Sequence, residues 1–187
     1  MLNMTRIIGG VAGSLKLGSP AKVTRPTSDR VRESIFSRLD ARELVEGAKV
    51  LDLYAGTGAL GLEALSRGAV ETTLVEKDVK ASAICSANAK LISTATGTPC
   101  AVKNQSVQTF LSATDGKFDL VFIDPPYEIT GDEVSKNLLA LLPHLTDEAV
   151  VVLERSSRDV PVDLPEGLAL DDAKNYGDTT VYWISLS

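Results

Sequence analysis

From Lys49 onward the chain alternates short apolar runs of strand character with stretches of helical periodicity, a pattern that few folds accommodate. The runs are Val50-Leu51-Asp52-Leu53-Tyr54, Thr72-Thr73-Leu74-Val75-Glu76, Ala101-Val102-Lys103, Phe118-Asp119-Leu120-Val121-Phe122-Ile123 and Ala149-Val150-Val151-Val152-Leu153. Strand, helix and strand repeated this often predict a parallel sheet with right-handed crossovers. The tail departs from the alternation. Leu168-Ala169-Leu170 and Thr179-Thr180-Val181-Tyr182-Trp183-Ile184 bracket the turn signal Asn175-Tyr176-Gly177-Asp178, which predicts a closing hairpin with an antiparallel last strand. The expectation is an α/β fold on a mostly parallel sheet of seven strands.

Upstream, Arg6-Ile7-Ile8-Gly9-Gly10 and Ser14-Leu15-Lys16-Leu17 are strand-like runs around a glycine-containing turn, so residues 6–17 read as a small ribbon. Pro26 interrupts the chain. After it Thr27 or Ser28 can cap a helix reaching Ser37 or Leu39, with Val31, Ile35, Phe36 and Leu39 on one apolar stripe. The 187 residues carry a net charge of −6, which by itself argues against a strong nonspecific nucleic-acid binder. Yet residues 1–40 hold seven basic and three acidic groups, a balance of +4 that leaves −10 for the remainder. A basic arm on an acidic body suits a polyanionic substrate, and a solvated basic helix face explains the same charges equally well. The length suits one domain with a core that needs no staples, so Cys85 and Cys100 read as free thiols of a reducing cytosol. No apolar run approaches the roughly 18–20 residues of a membrane span, and the first residues lack the apolar stretch of a signal peptide, so a cytoplasmic protein is expected.

The stretch Asp52-Leu53-Tyr54-Ala55-Gly56-Thr57-Gly58-Ala59-Leu60-Gly61 follows the first parallel strand and opens a helix toward Arg67. Its glycines fit G-x-G-x-x-G, in which absent side chains let a ligand approach the backbone at the positive end of a helix. Glu76 lies 20 positions after Gly56, where a carboxylate can accept both hydroxyl hydrogens of a ribose. The same spacing satisfies the dinucleotide fingerprint, so a hydride-transferring dehydrogenase is the rival reading. Asp52 separates the two, because a carboxylate there would repel a pyrophosphate and favour the cationic groups of a sulfonium-bearing, amino-acid-like ligand. Asp52-x-x-x-Gly56-x-Gly58 resembles motif I of class I methyltransferases that use S-adenosylmethionine, whose fold is Rossmann-like. The resemblance implies that Asp52, Tyr54, Gly56, Thr57 and Gly58 hold the methionine part of that cofactor and Glu76 its ribose.

Asp124-Pro125-Pro126-Tyr127 ends the fourth strand, at the edge of a parallel sheet where ligands bind. Two prolines fix their own torsions and remove two N–H groups, so the loop is stiff and presents acceptors, the Asp124 carboxylate and a nearby carbonyl such as that of Pro125. An exocyclic amino group of a nucleobase has two N–H donors and a lone pair delocalised into its ring. Two acceptors holding those hydrogens can turn the lone pair toward a methyl carbon. Tyr127 offers a flat face for the base, an interaction worth about 1–3 kcal/mol. The tetrapeptide resembles motif IV of amino methyltransferases, (Asp/Asn/Ser)-Pro-Pro-(Tyr/Phe/Trp), and leaves the dehydrogenase reading a poor second. Pro99-Cys100 lies before the third strand, where it does not fit the nucleophile of a cytosine-C5 methyltransferase, and Cys85 reads as a small packed hydrophobe. His144 is the one histidine and is expected at a helix end, so no metal cluster or catalytic triad is built on histidine. Val134, Leu138, Leu139, Leu141 and Leu142 are expected in the core.

Arg6-Ile7-Ile8-Gly9-Gly10, followed by Arg25-Pro26-Thr27-Ser28-Asp29-Arg30-Val31-Arg32-Glu33-Ser34-Ile35-Phe36-Ser37-Arg38-Leu39, resembles the signature of the RsmD family, bacterial 16S rRNA guanine-N2 methyltransferases. The resemblance covers nearly the whole chain and is strongest at residues 6–39, 50–68 and 118–127. It implies N2 methylation of a guanine in 16S rRNA, on a largely assembled 30S subunit, by a monomer that needs no metal and no membrane. It further implies that residues 1–40 form a basic extension on a catalytic domain of residues 41–187, with Arg6, Arg25, Arg30 and Arg32 against RNA. Phosphate contacts of this kind supply affinity without sequence information. Ser106 stands where the family contacts the adenine ring, often with Asp or Asn. Two alternatives remain, an adenine-N6 methyltransferase of DNA or RNA and a noncatalytic RNA-binding factor of ribosome assembly.

Overall fold

The apolar runs pair as their alternation predicts. A computed structural model describes residues 5–20 and 28–187; Arg25, Pro26 and Thr27 lie outside the described residues. The strands are β1 (Lys49–Leu53), β2 (Glu71–Val75), β3 (Cys100–Lys103), β4 (Phe118–Ile123), β5 (Leu145–Ser156), β6 (Leu168–Tyr176) and β7 (Thr179–Leu186). They form one sheet in the order β3-β2-β1-β4-β5-β7-β6, parallel through β5, with β7 antiparallel to both of its neighbours. The helices are α1 (Asp29–Ala41), α2 (Ala59–Ser66), α3 (Val79–Thr96), α4 (Val107–Ala113) and α5 (Gly131–Leu141).

Side chains on a strand alternate between faces, and the central strands are apolar on both, so the sheet is covered on both sides. Val50, Leu120 and Phe122 pack with Ile35, Phe36 and Leu39 of α1, whereas Leu51, Leu53, Val121 and Ile123 pack with Phe110 of α4 and Val134 and Leu138 of α5. Ser28 caps α1 through Val31 N–H, as expected of it, and the stripe Val31, Ile35, Phe36 and Leu39 is buried. His144 ends a short 3-10 turn, Leu142–His144, and Cys85 is wholly buried. Leu139 corrects the core expectation. It faces solvent, while Val134, Leu138 and Leu141 are enclosed. β5 runs on past Leu153 through Glu154 and Arg155, polar in sequence but buried, where it pairs with the antiparallel β7.

The N-terminal ribbon is a docked part of the core. Ile7, Ala12 and Leu17 join Leu62, Leu65 and Leu74 in one buried cluster, and Arg6 bridges to Lys16 across the ribbon. Its backbone is held by two side chains of α2. The fully buried Glu63 accepts from Ile8 N–H at 2.7 Å, Gly9 N–H at 2.8 Å and Arg67 Nε at 2.7 Å. Ser66 Oγ donates to the Gly9 carbonyl at 2.6 Å and accepts from Ala12 N–H at 2.9 Å.

Arg32 shares this arrangement, which corrects its expected contact with RNA. It is 1% exposed, and its Nη2 donates to the Arg6 carbonyl at 2.6 Å and to Asp29 at 3.0 Å. Burial lowers its pKa, and the charges of Glu63 and Asp29 oppose that loss. The guanidinium therefore clamps the ribbon to α1. Removing Glu63 would leave two ribbon N–H groups and Arg67 Nε without their acceptor, while Arg67 Nη1 keeps Asp40. Glu63→Ala is expected to lower stability by about 3–5 kcal/mol in urea unfolding, and Glu63→Gln, which keeps one acceptor oxygen, by less.

Candidate active site

Three strand ends converge where the strand order reverses, between β1 and β4, the place at which a parallel sheet opens a crevice. Leu53 of β1 is level with Val75 of β2 on one side and Ile123 of β4 on the other. The next residues, Tyr54, Glu76 and Asp124, accordingly leave the sheet side by side.

Asp52 is 1% exposed, and its Oδ2 accepts the N–H of Gly61 at 2.9 Å, tying strand to helix across the glycine loop. Gly61 is required by close approach, since a Cβ there would sit 2.3 Å from Leu74 Cδ2 and 3.1 Å from Asp52 Cβ. Gly58, with φ of +85°, turns the chain into α2 in the left-handed region that glycine adopts without strain. At Gly56 a Cβ would meet nothing within 4 Å, so the loop faces open space. Gly56 N–H donates to Glu76 Oε2 at 2.9 Å, and Asp78 N–H donates to Glu76 Oε1 at 2.8 Å. Both carboxylate oxygens are thereby oriented and retain acceptor capacity for a hydroxyl.

The opposite wall is the Asp124–Tyr127 loop. Asp124 is half-buried, Pro125 is buried, and Pro126 and Tyr127 are exposed, Tyr127 at 69%. Ile129 N–H closes a turn on the Pro126 carbonyl at 3.0 Å, and the Ile129 carbonyl accepts from Arg155 Nη1 at 2.9 Å. Arg155 is itself paired with Asp159 at 2.9 Å. Ser106 caps α4, accepting from Thr109 N–H at 3.1 Å, so its hydroxyl serves first to start a helix.

Sequence reasoning missed Asn88, Asn137 and Arg155. Asn88 Nδ2 donates to the Thr57 carbonyl at 2.9 Å and the Gly18 carbonyl at 3.1 Å, joining the glycine loop to the end of the ribbon. Each of these polar residues is buried and has a partner far along the chain, which no local pattern announces. Arg6 and Arg30 are exposed. Arg30 shares with Arg38, Lys174 and Tyr176 an open groove of about 510 Å³ between α1 and β6. Ser34 and Tyr176 are hydrogen-bonded at 2.6 Å beside it, and Arg38 pairs with Asp172. Tyr176 is level with Thr179, and Thr179 with Ser156 at the end of β5, so the groove opens toward the same sheet edge as the crevice.

Burial pushes the Asp52 carboxyl up to about 8; the Gly61 N–H opposes the shift, and the charges of Asp124 and Glu76 add to it. Three acids thus stand near one another at the strand ends. An electron-rich enclosure of this kind suits a cationic ligand, which would favour the Asp52 carboxylate, and an open glycine loop beside a pre-oriented Glu76 suits a nucleoside. Among the described residues no group of three or more His, Cys, Asp or Glu could hold a metal ion, and no helix is long and apolar enough to cross a membrane.

A family model described as Conserved hypothetical protein 95 matches residues 5–185. Ribosomal RNA small subunit methyltransferase D of Escherichia coli K12 is 39% identical over 150 residues, 80% of this chain and 73% of that protein. The chain belongs to the RsmD family. The Haemophilus influenzae protein of the same name is 33% identical over 175 residues, 92% of this chain and 89% of that one. A solved structure of Escherichia coli YhhF superposes with a TM-score of 0.82 at 31% identity, over 97% of each chain. A tRNA1(Val) (adenine(37)-N6)-methyltransferase of Shewanella is 31% identical over 103 residues, 54% of this chain and 43% of that protein. The Rossmann-like α/β fold expected of an RsmD-family chain is the fold observed.

The Asp52 carboxyl carries a measurable signature. Between the ordinary carboxyl range and about pH 8 the folded chain holds a proton that the unfolded chain has released, so stability falls as pH rises through that window. Asp52→Asn abolishes the titration. Its stability relative to the parent, measured by urea unfolding without ligand, is expected to rise from pH 5 to pH 9 by more than about 2 kcal/mol, each pKa unit being worth about 1.4 kcal/mol.

Proposed function

We propose that the protein transfers a methyl group from S-adenosylmethionine to the exocyclic N2 amino group of a guanine in 16S rRNA, acting in the cytoplasm as a monomer on the assembled 30S subunit. The observation that carries this reading is the meeting of Asp52, Gly56, Gly58 and Glu76 with the Asp124-Pro125-Pro126-Tyr127 loop at the reversal of strand order. Membership of a family whose named relatives methylate small-subunit rRNA supports the substrate class.

S-adenosylmethionine, when bound, supplies a methyl carbon already activated by its sulfonium leaving group. The Asp52 carboxylate, with Tyr54, Thr57 and the glycines, holds the cationic methionine end, Glu76 accepts from the ribose hydroxyls, and Ser106 lies on the adenine side. Asp124 and the Pro125 carbonyl accept the two N2 hydrogens, which turns the nitrogen lone pair out of conjugation and toward the methyl group. Pro126 keeps the loop stiff and Tyr127 stacks the base, which must leave its helix to reach the site. Phosphates meet Arg6, Arg25 and Arg30, joined by Lys174 in the groove against α1, while the buried Arg32 supports the ribbon.

The deciding experiment follows labelled methyl groups from S-adenosylmethionine into 30S subunits from cells that lack this protein, with naked rRNA and duplex DNA in parallel and the product nucleoside identified by mass spectrometry. N2-methylguanosine from 30S subunits alone is the expected result. N6-methyladenine would favour the second reading, which the partial similarity to an adenine-N6 enzyme keeps in view, and cofactor binding without transfer would favour a noncatalytic assembly factor. Asp124→Ala is expected to abolish turnover while leaving cofactor affinity within about threefold. Arg30→Glu with Lys174→Glu is expected to weaken 30S binding at least about tenfold and flatten its salt dependence, with cofactor affinity unchanged.

A further inference from the structure

The helix that follows the Asp124–Tyr127 loop carries an amide that the core encloses completely. Asn137 of α5 is 0% exposed, its Nδ2 donates to the Tyr54 hydroxyl at 2.6 Å, and its Oδ1 accepts from Gln108 Nε2 on α4. A buried amide is tolerated only when both of its ends are bonded, and here both are. The partner at one end is unusual in its backbone. Tyr54 has a φ of +63°, in the left-handed region that a bulky side chain disfavours, so its surroundings must hold it there. Its ring packs against the cluster that contains Val134 and Leu138 of α5. Burial also raises the Tyr54 hydroxyl's pKa, with the Asn137 hydrogen bond opposing, which keeps the group neutral.

Tyr54 occupies the first position of the glycine loop, between the Asp52 strand end and Gly56. A kink there sets the direction in which the next four residues leave the sheet. Ala55 N–H reaches the Val75 carbonyl at 2.9 Å, Gly56 N–H reaches Glu76, and Gly58 N–H reaches the Ala55 carbonyl at 2.7 Å. We propose that Tyr54 and Asn137 are positioning residues: the Gln108–Asn137–Tyr54 chain holds the left-handed turn at the head of the glycine loop and fixes it to α5, so that the two walls of the site keep one spacing. The catalytic consequence rests on the proposed methyl transfer; the structural one does not.

Tyr54→Phe keeps the ring and removes only the hydroxyl, and Asn137→Leu replaces the amide by an apolar group of similar size. Hydrogen–deuterium exchange on the ligand-free chain tests the structural claim. Both variants are expected to exchange the peptide spanning Ala55–Gly58 about tenfold faster, with β7 peptides unchanged. The double variant should be no faster than either single one, because they break the same chain. In methyl transfer by Asn137→Leu, the KM for S-adenosylmethionine should rise about tenfold while kcat stays within about threefold. Unchanged loop exchange in Tyr54→Phe, or acceleration spread evenly over the chain, would overturn the proposal. Faster loop exchange in a protein whose parent binds no S-adenosylhomocysteine would uphold the positioning role and sink the proposed function instead.

Discussion

A carboxyl group enclosed at the end of β1 grips the N–H of Gly61 and ties α2 to the strand it follows. The helix can come so close only because residue 61 has no side chain to collide with Leu74. Burying an acid beside two others is unfavourable, which is why its proton is held so firmly in the absence of a compensating cation. The glycine loop is thus pinned at both ends before any ligand arrives, and the charge it lacks is of the kind a sulfonium and an ammonium group bring.

With α2 in place, the rest of the N-terminal half is assembled on it. Glu63 and Ser66 are one turn apart on the face that receives the ribbon, and Arg32 closes the same junction from α1. On the other side of the crevice the turn that follows the Asp124–Tyr127 loop is held at the Ile129 carbonyl by Arg155, on the stretch of β5 that pairs with β7. Both walls are therefore built from buried polar groups that join distant segments, and geometry is fixed by hydrogen bonds where apolar packing alone would leave slack.

The sheet, its order of elements and the glycine loop were legible in the sequence because they rest on local signals. Periodicity marks strands, glycine spacing marks the loop, and an Asp before two prolines ends a strand whatever surrounds it. Arg32 was misread for the opposite reason. A basic residue on a predicted helix points to solvent unless other groups enclose it, and Arg32 is bonded to the distant Arg6 carbonyl and to Asp29, with the charge of Glu63 on another helix favouring it. Asn88, Asn137 and Arg155 were invisible on the same grounds, each paired across 26 to 83 residues of chain. Leu139 shows the reverse error, a leucine in a core-like run that the helix turns outward.

The order in which the parts become available differs from the order in which they are written. The ribbon precedes α2 in the chain, and its anchors there lie 54 to 57 residues downstream. At the other extreme, β5 acquires its second neighbour only when residues 179–186 insert between it and β6. A nascent chain therefore presents the glycine loop well before the opposite wall of the crevice is braced. A polypeptide cut short before β7 leaves β5, the strand that carries Arg155, without its second neighbour.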